Sequence, residues 1–136
     1  MEIKLLLDTS AYVEFKRNTV EVVEIIVRAE LIFFSPIVLG ELMFGFRNGK
    51  KFKENVDSLN RFIQHKVVKI IPIGEITSDR YSRIALKLKS QGTPIPTNDM
   101  WIAAQTIEHG AELITTDQHF EKISGLVYTI PEYGEN

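Results

Sequence analysis

The chain has 136 residues, of which 44% are hydrophobic and 25% are charged, and this size and composition are those of a globular protein with one domain. The sequence contains no cysteine, which excludes disulfide bonds, thiol nucleophiles, iron–sulfur clusters and Cys-ligated zinc. The net charge of -2 excludes nucleic-acid or membrane binding driven by an overall positive field. We expect one domain over residues 1–131 and a loose tail at 132–136.

Five short runs of apolar and β-branched residues alternate with longer stretches of helical periodicity. This alternation is typical of βαβ units and predicts an α/β fold with a parallel sheet. The predicted strands cover residues 3–7, 31–34, 67–73, 112–115 and 126–130. Three amphipathic helices are predicted between them. Their apolar faces consist of Val20, Val23, Ile26 and Val27; of Phe52, Val56, Leu59 and Ile63; and of Tyr81, Ile84, Ala85 and Leu88.

Capping residues indicate where several helices begin and end. Ser35 followed by Pro36 predicts a helix start, and Gly92 and Gly110 stand where helices should stop. The segment 92–98 contains two prolines and is predicted to be non-helical.

The apolar segments of the sequence are too short to enter or cross a membrane. The run of leucines that ends at Asp8 is shorter than the apolar region of a signal peptide. The segment 31–46 falls short of a membrane span and is interrupted by Ser35, Pro36 and Glu41. We therefore expect a cytoplasmic protein without membrane association.

Several familiar catalytic motifs are missing from the sequence. Gly40 and Gly45 have the spacing of a phosphate-binding loop, but the Lys and Ser or Thr that such a loop requires do not follow them. The three histidines are scattered, and no serine lies in a nucleophile-elbow motif. The remaining candidates for chemistry are carboxylates.

Three aspartates are candidates because of their place relative to predicted strands and helices. Asp8 and Asp117 each end a predicted strand, where ligands bind in open α/β sheets, although helix capping explains each of them about equally well. Asp99 begins a predicted helix, where the helix dipole alone favours an acid. Trp101, on the same helix, is assigned to the core.

Glu41 is the only charged residue between Pro36 and Phe46, on a helix that is otherwise apolar. A partly buried carboxylate requires a cation or hydrogen-bond donors. Either a salt bridge to Arg47 or a remote lysine, or a bound divalent metal, would satisfy it. If Asp8, Glu41, Asp99 and Asp117 converge at one sheet edge, such an all-oxygen site suits Mg²⁺ or Mn²⁺ and phosphoryl-transfer chemistry.

Three segments carry a resemblance to a known family: LLLDTSAYVEF at 5–15, SPIVLGELMFG at 35–45 and NDMWIAAQTIEHGAELITTDQHFEKISGL at 98–126. Together they resemble a PIN domain, and specifically the VapC-type toxin ribonucleases, over essentially the whole chain. The motif acids of that family correspond to Asp8, Glu41, Asp99 and Asp117, and its small polar residues to Thr9, Ser10, Asn98 and Thr115.

The resemblance implies a three-layer α/β/α sandwich around a central, mostly parallel sheet of about five strands. It also implies Mg²⁺- or Mn²⁺-dependent endonucleolytic cleavage of RNA, a homodimer, and a cognate antitoxin. The four acids would be the metal ligands, and the four small polar residues would orient them or bound water. Some relatives carry a further acid after the fourth, where this chain has Gln118 and His119, so we interpret His119 as a surface residue.

Two clusters of basic residues contact RNA or are simply solvated helix faces. They are Arg47, Lys50, Lys51 and Lys53, and Arg80, Arg83, Lys87 and Lys89. Alternative functions for the chain are a nuclease-dead PIN-fold module for protein interaction and a DNA or flap nuclease of the same fold. A receiver-like phosphoacceptor domain would require an acidic pair after the first strand, and only Asp8 is present there.

Overall fold

The computed structural model describes residues 2–132, in which five short strands form one parallel sheet. The strands are β1 (Lys4–Leu7), β2 (Leu31–Phe34), β3 (Val68–Ile70), β4 (Glu112–Ile114) and β5 (Tyr128–Thr129). Their order across the sheet is β3-β2-β1-β4-β5, and every neighbouring pair is parallel. β1 is therefore central, with Leu6 in register with Phe33 of β2 and Leu113 of β4.

Within residues 2–132, six α-helices connect the strands, and a short 3₁₀ helix, Gln118–Lys122, follows β4. They are α1 (Thr9–Lys16), α2 (Val20–Val27), α3 (Pro36–Arg47), α4 (Phe52–Ile63), α5 (Glu75–Gln91) and α6 (Thr97–Glu108). The chain moves outward from β1 to β3 and then returns across the sheet to β4. Because crossovers between parallel strands are right-handed, α1 to α4 cover one face of the sheet and α5 and α6 the other.

Adjacent residues of β2 show directly that both faces are covered. The ring of Phe34 lies 5.7 Å from that of Tyr12 in α1 and 5.6 Å from that of Phe62 in α4. The ring of Phe33 instead lies 5.3 Å from His109, at the end of α6. The predicted α/β/α sandwich with a parallel sheet of five strands is confirmed.

The structure corrects several boundaries and one apolar face. β2 has the predicted bounds, whereas the other four strands are shorter than predicted, above all at 67–73 and 126–130. Residues 92–96 of the segment predicted to be non-helical lack helical structure, but Thr97 and Asn98 belong to α6, which begins directly after Pro96. In α2, Val22 and Ile26 are buried, whereas Val20 and Val27 are 61% and 70% exposed. That helix is apolar nearly all round, so its packing rather than its sequence selects the buried stripe.

The assignment of Trp101 to the core is also wrong. Trp101 is half-buried and lies outside the core cluster, and its ring stacks on Tyr81 of α5 with 4.1 Å between ring centroids. The side chain thus contacts the neighbouring helix rather than the sheet. Apart from Glu132, the predicted tail at 132–136 lies outside the described residues.

No helix within residues 2–132 is both long enough and apolar enough to cross a membrane.

The packing of Phe34 predicts a large loss of stability on truncation. Its side chain is fully buried between α1 and α4, so Phe34→Ala should lower the free energy of unfolding by about 3–5 kcal/mol, measured by denaturant titration. The matched control is Phe44→Ala on α3, where the ring is 73% exposed and the change should stay within about 0.5 kcal/mol. Equal effects of the two substitutions would contradict the packing described.

Candidate active site

Asp8 lies at the carboxyl end of the central strand and caps α1. Its backbone is extended, its N–H donates to the carbonyl of Ile114, and its carboxylate accepts a hydrogen bond from the N–H of Ala11 at 2.9 Å. Two hydroxyls also donate to this carboxylate, from Ser10 at 2.7 Å and from Thr115. Asp8 is 5% exposed, so the capping role and a position at the candidate site coexist in one residue.

Burial raises the pKa of Asp8, since removing a carboxylate from water disfavours its charged form. The three hydrogen bonds act in the opposite direction, and the nearby charge of Asp117 raises the pKa further. Asp8 takes part in none of the ion pairs found among residues 2–132. Its charge is therefore stabilised by neutral donors alone.

Thr115 and Ser10 join the ends of β1 and β4. The Thr115 hydroxyl donates to Asp8 and accepts a hydrogen bond from the N–H of Asp117 at 2.9 Å. The Ser10 hydroxyl accepts from the N–H of Thr116 at 3.0 Å and donates to the other oxygen of Asp8. These bonds fix where the backbone leaves β4 and so where the side chain of Asp117 begins.

Glu41 is held between the first turns of two other helices. Its Oε1 accepts a hydrogen bond from the Thr9 hydroxyl at 2.5 Å, and its Oε2 accepts from the Asn98 side-chain amide at 3.2 Å. The alternative of a salt bridge to Arg47 is wrong, because that guanidinium lies over the ring of Phe52, 4.3 Å from its centroid. Asn98 lies in the first turn of α6.

Asp99, Asp117 and His119 bring their potential metal-ligating atoms within 4.8 Å of one another. The His119 Nδ1 lies 3.0 Å from Asp117 Oδ2 and 3.3 Å from Asp99 Oδ2. Asp117 caps the 3₁₀ helix by accepting from the His119 N–H at 2.9 Å, which turns the ring back toward the acids. His119 is exposed, as predicted for a surface residue, but the prediction missed its contact with the two acids, for which its place two residues after a capping acid was a usable signal.

The pKa of Asp99 shows most clearly that the carboxylates of the site are crowded. Its pKa is raised to about 6, first by burial and then by the charges of Asp117 and Glu41, while His119 lowers it. The side chain is 15% exposed. The carboxylates of Asp99, Asp117 and Glu41 thus lie close enough to repel one another.

These positions show which predicted residues the fold brings together. Asp99 and Asp117 lie within ligand distance of one ion, together with His119. Asp8 and Glu41 border this cluster through Thr115, Thr9 and Asn98 rather than joining it directly. Ligands of an octahedral ion at ~2.1 Å lie about 3 Å from each other, which is close to the distances from the His119 Nδ1 to the two carboxylates. The donor set therefore fits a divalent metal.

The raised pKa of Asp99 predicts a pH-dependent gain in stability when its charge is removed. An acid whose pKa is higher in the folded state destabilises the fold once it is ionised. The destabilisation by Asp99 is therefore present above about pH 6 and decreases as the pH falls toward the pKa of this acid in the unfolded chain. In EDTA at about pH 7.5, Asp99→Asn should raise the free energy of unfolding by up to about 3 kcal/mol. At about pH 4 the gain should fall below about 1 kcal/mol. A gain equal at both pH values would refute this explanation.

The two hydrogen bonds of Thr115 predict a loss of stability without its hydroxyl. Thr115→Val keeps the shape of the side chain but leaves a carboxylate oxygen of Asp8 and the N–H of Asp117 without their partner. The free energy of unfolding should fall by about 1–3 kcal/mol in denaturant titration. Thr115→Ser, which restores the hydroxyl, should recover most of that loss, and failure to recover would point to packing of the methyl group instead.

Comparisons with known proteins agree with the fold. A family model described as PIN domain matches residues 5–126. The chain is 33% identical over 125 residues to Ribonuclease VapC1 of Rickettsia felis, covering 90% of this chain and 92% of that protein. It is 30% identical over 105 residues to Ribonuclease VapC2 of the same organism, covering 76% and 77%.

Solved structures of similar proteins extend the comparison to three dimensions. The structure of VapBC2 from Rickettsia felis bound to a promoter DNA fragment aligns with a TM-score of 0.81 at 26% identity, covering 93% of this chain and 98% of that one. VapBC-1 from nontypeable Haemophilus influenzae aligns with a TM-score of 0.81 at 25% identity, covering 93% and 97%. Because the family model covers most of its length and the fold agrees, the chain belongs to the PIN domain family.

Proposed function

We propose that this protein is a divalent-metal-dependent endoribonuclease, the toxin of a toxin–antitoxin pair. The observation that carries the proposal is the cluster of Asp99, Asp117 and His119 at the carboxyl edge of the sheet, bordered by the buried Asp8 and by Glu41. Like charges at this spacing repel one another, and a bound cation would relieve that repulsion. The similarity to proteins named Ribonuclease VapC supports RNA as the substrate.

In this proposal the four acids Asp8, Glu41, Asp99 and Asp117 hold one or two ions. Mg²⁺ or Mn²⁺ suits their oxygen ligands, and the ring nitrogen of His119 favours Mn²⁺ when it takes part. When bound, such an ion supplies an activated water and stabilises charge on the phosphate. The small polar residues position the acids through the hydrogen bonds described above. These residues are Thr9, Ser10, Asn98 and Thr115.

His119 is not needed as a general base in this scheme. Its ring contacts both Asp99 and Asp117, so its contribution is to hold these two carboxylates at a common distance. Loss of the ring should therefore weaken metal binding more than it changes the fold.

We further propose a cognate antitoxin, a homodimer and a cytoplasmic location. The support for an antitoxin is that the aligned structures from Rickettsia felis and Haemophilus influenzae are those of VapBC2 and VapBC-1. The RNA that the toxin would meet is cytoplasmic, which agrees with the composition of the chain and its lack of cysteine.

The proposed chemistry predicts that loss of a cluster acid abolishes cleavage. Asp117→Asn and Asp99→Asn should each reduce metal-dependent cleavage of a mixed structured RNA by more than about 100-fold, because ligand loss costs at least as much as loss of a residue that orients a ligand. Cleavage is measured on gels with Mn²⁺ or Mg²⁺. The matched control is Asp57→Asn, on the exposed side of α4, which should keep full activity.

EDTA should stop cleavage by the unmodified protein, and a parallel reaction on single-stranded DNA separates ribonuclease from DNase activity. Cleavage that survives both EDTA and Asp117→Asn would remove the carboxylates from the mechanism. A protein that folds, binds Mn²⁺ and cuts neither polymer would favour the nuclease-dead interaction module.

A further inference from the structure

A groove of about 270 Å³ lies between α5 and the segment that follows the 3₁₀ helix. Its rim carries four cationic side chains, all of them exposed, and no acid lines it. These cations are Arg80, Arg83 and Lys87 of α5 and Lys122 of the 3₁₀ helix. The first three belong to a basic cluster predicted from the sequence, but Lys89 of that cluster does not line the groove and Lys122 does.

Within residues 2–132, three of these four charges, those of Arg80, Lys87 and Lys122, have no acidic partner. Arg83 pairs with Asp79 at 3.0 Å, and Lys87 donates to the Ser124 hydroxyl at 2.6 Å. Arg80 and Lys122 take part in none of the ion pairs found within residues 2–132. Unpaired cations that share a concave surface raise the local positive potential even though the protein is acidic overall.

The base of the groove is apolar. Ile84 of α5, Ile107 of α6 and Ile123 line it beneath the cations. A rim of guanidinium and ammonium groups above an apolar floor matches a nucleotide, whose phosphate is anionic and whose base has an apolar face.

The 3₁₀ helix connects this groove to the candidate active site. Asp117 caps the start of this helix and Lys122 is its last residue. Because a 3₁₀ helix rises ~2 Å per residue, the two residues are about 10 Å apart along it. That distance corresponds to about three nucleotides of a stacked strand, at ~3.4 Å each.

The groove is cationic, whereas the candidate active site is acidic. The active-site acids repel a phosphodiester chain, so the protein needs positive charge elsewhere to hold the strand that it cuts. We propose that the groove lined by Arg80 and Lys122 binds phosphates of the RNA strand about three nucleotides from the bond that is cleaved. This inference rests on the proposed function for its substrate, but it can be tested by binding alone.

The test measures binding of a fluorescent single-stranded RNA of about 12 nucleotides in EDTA, where no cleavage is expected, over a series of salt concentrations. Each phosphate contact contributes about 0.7 to the slope of log affinity against log salt for single strands. The double variant Arg80→Gln/Lys122→Gln should reduce that slope by about 1.4. Between about 50 and 200 mM salt, the affinity of the unmodified protein should fall about sevenfold more than that of the variant.

The matched control is Lys50→Gln/Lys53→Gln, which removes the same charge from the other predicted basic cluster. It should leave the slope unchanged. Thermal melting of both variants checks the fold, which should be intact since all four side chains are exposed. An equal change of slope in the two double variants, or no change in either, would overturn the groove as the RNA site.

Competition by a mononucleotide distinguishes a groove that binds an RNA strand from a site for a free nucleotide. AMP should compete with the RNA only weakly, because it offers one phosphate group instead of several. Competition by AMP at micromolar concentration that depends on Arg80 and Lys122 would overturn the proposal in favour of a nucleotide ligand. Failure of cleavage with an intact groove effect would instead refute the proposed nuclease and leave the binding site standing.

Discussion

The constraint on which the rest of the site depends is the burial of the Asp8 carboxylate at the end of the central strand. β1 pairs on both sides, so its carboxyl end opens where α1, β4 and α6 meet. A charge placed there is removed from water and needs donors on every side. Residues from two segments supply them: Ser10 and Ala11 from α1, and Thr115 from the end of β4. The same hydroxyl of Thr115 then sets the backbone of Asp117.

The fold could be predicted from the sequence because both faces of its central strands are buried. β2 and, after Lys4, β1 are continuous apolar runs, and strands covered on both faces carry this pattern whatever surrounds them. The apolar face of α2 could not be predicted in the same way. A helix that is apolar nearly all round has several possible buried stripes. Packing against α1 and the sheet determines that the stripe containing Val22 and Ile26 is the buried one. The prediction for Trp101 was wrong for a similar reason, because its stacking partner, Tyr81, lies on another helix, α5.

The meeting of the acids at one edge of the sheet could be predicted from the sequence, but the distances between them could not. Position at strand ends and helix starts placed Asp8, Asp99 and Asp117 at one edge of the sheet, and the structure places Asp99 and Asp117 within one cluster. The part played by His119 depends on the direction in which the 3₁₀ helix leaves Asp117, which no periodicity encodes. The groove likewise needed three dimensions, because Arg80 and Lys122 are distant in sequence and meet only when α5 packs beside the 3₁₀ helix.

The hydrogen bonds around Asp8 also limit its denticity toward a cation. An ionised carboxylate offers about four lone-pair positions, two on each oxygen. Ser10 and the N–H of Ala11 occupy both positions on Oδ1, and Thr115 occupies one on Oδ2. The backbone donors of Thr116 and Asp117 fill acceptor positions of the two hydroxyls, so each keeps its hydrogen directed at the carboxylate. Asp8 is therefore left with a single vacant position, on Oδ2, and can offer a cation only one ligand atom.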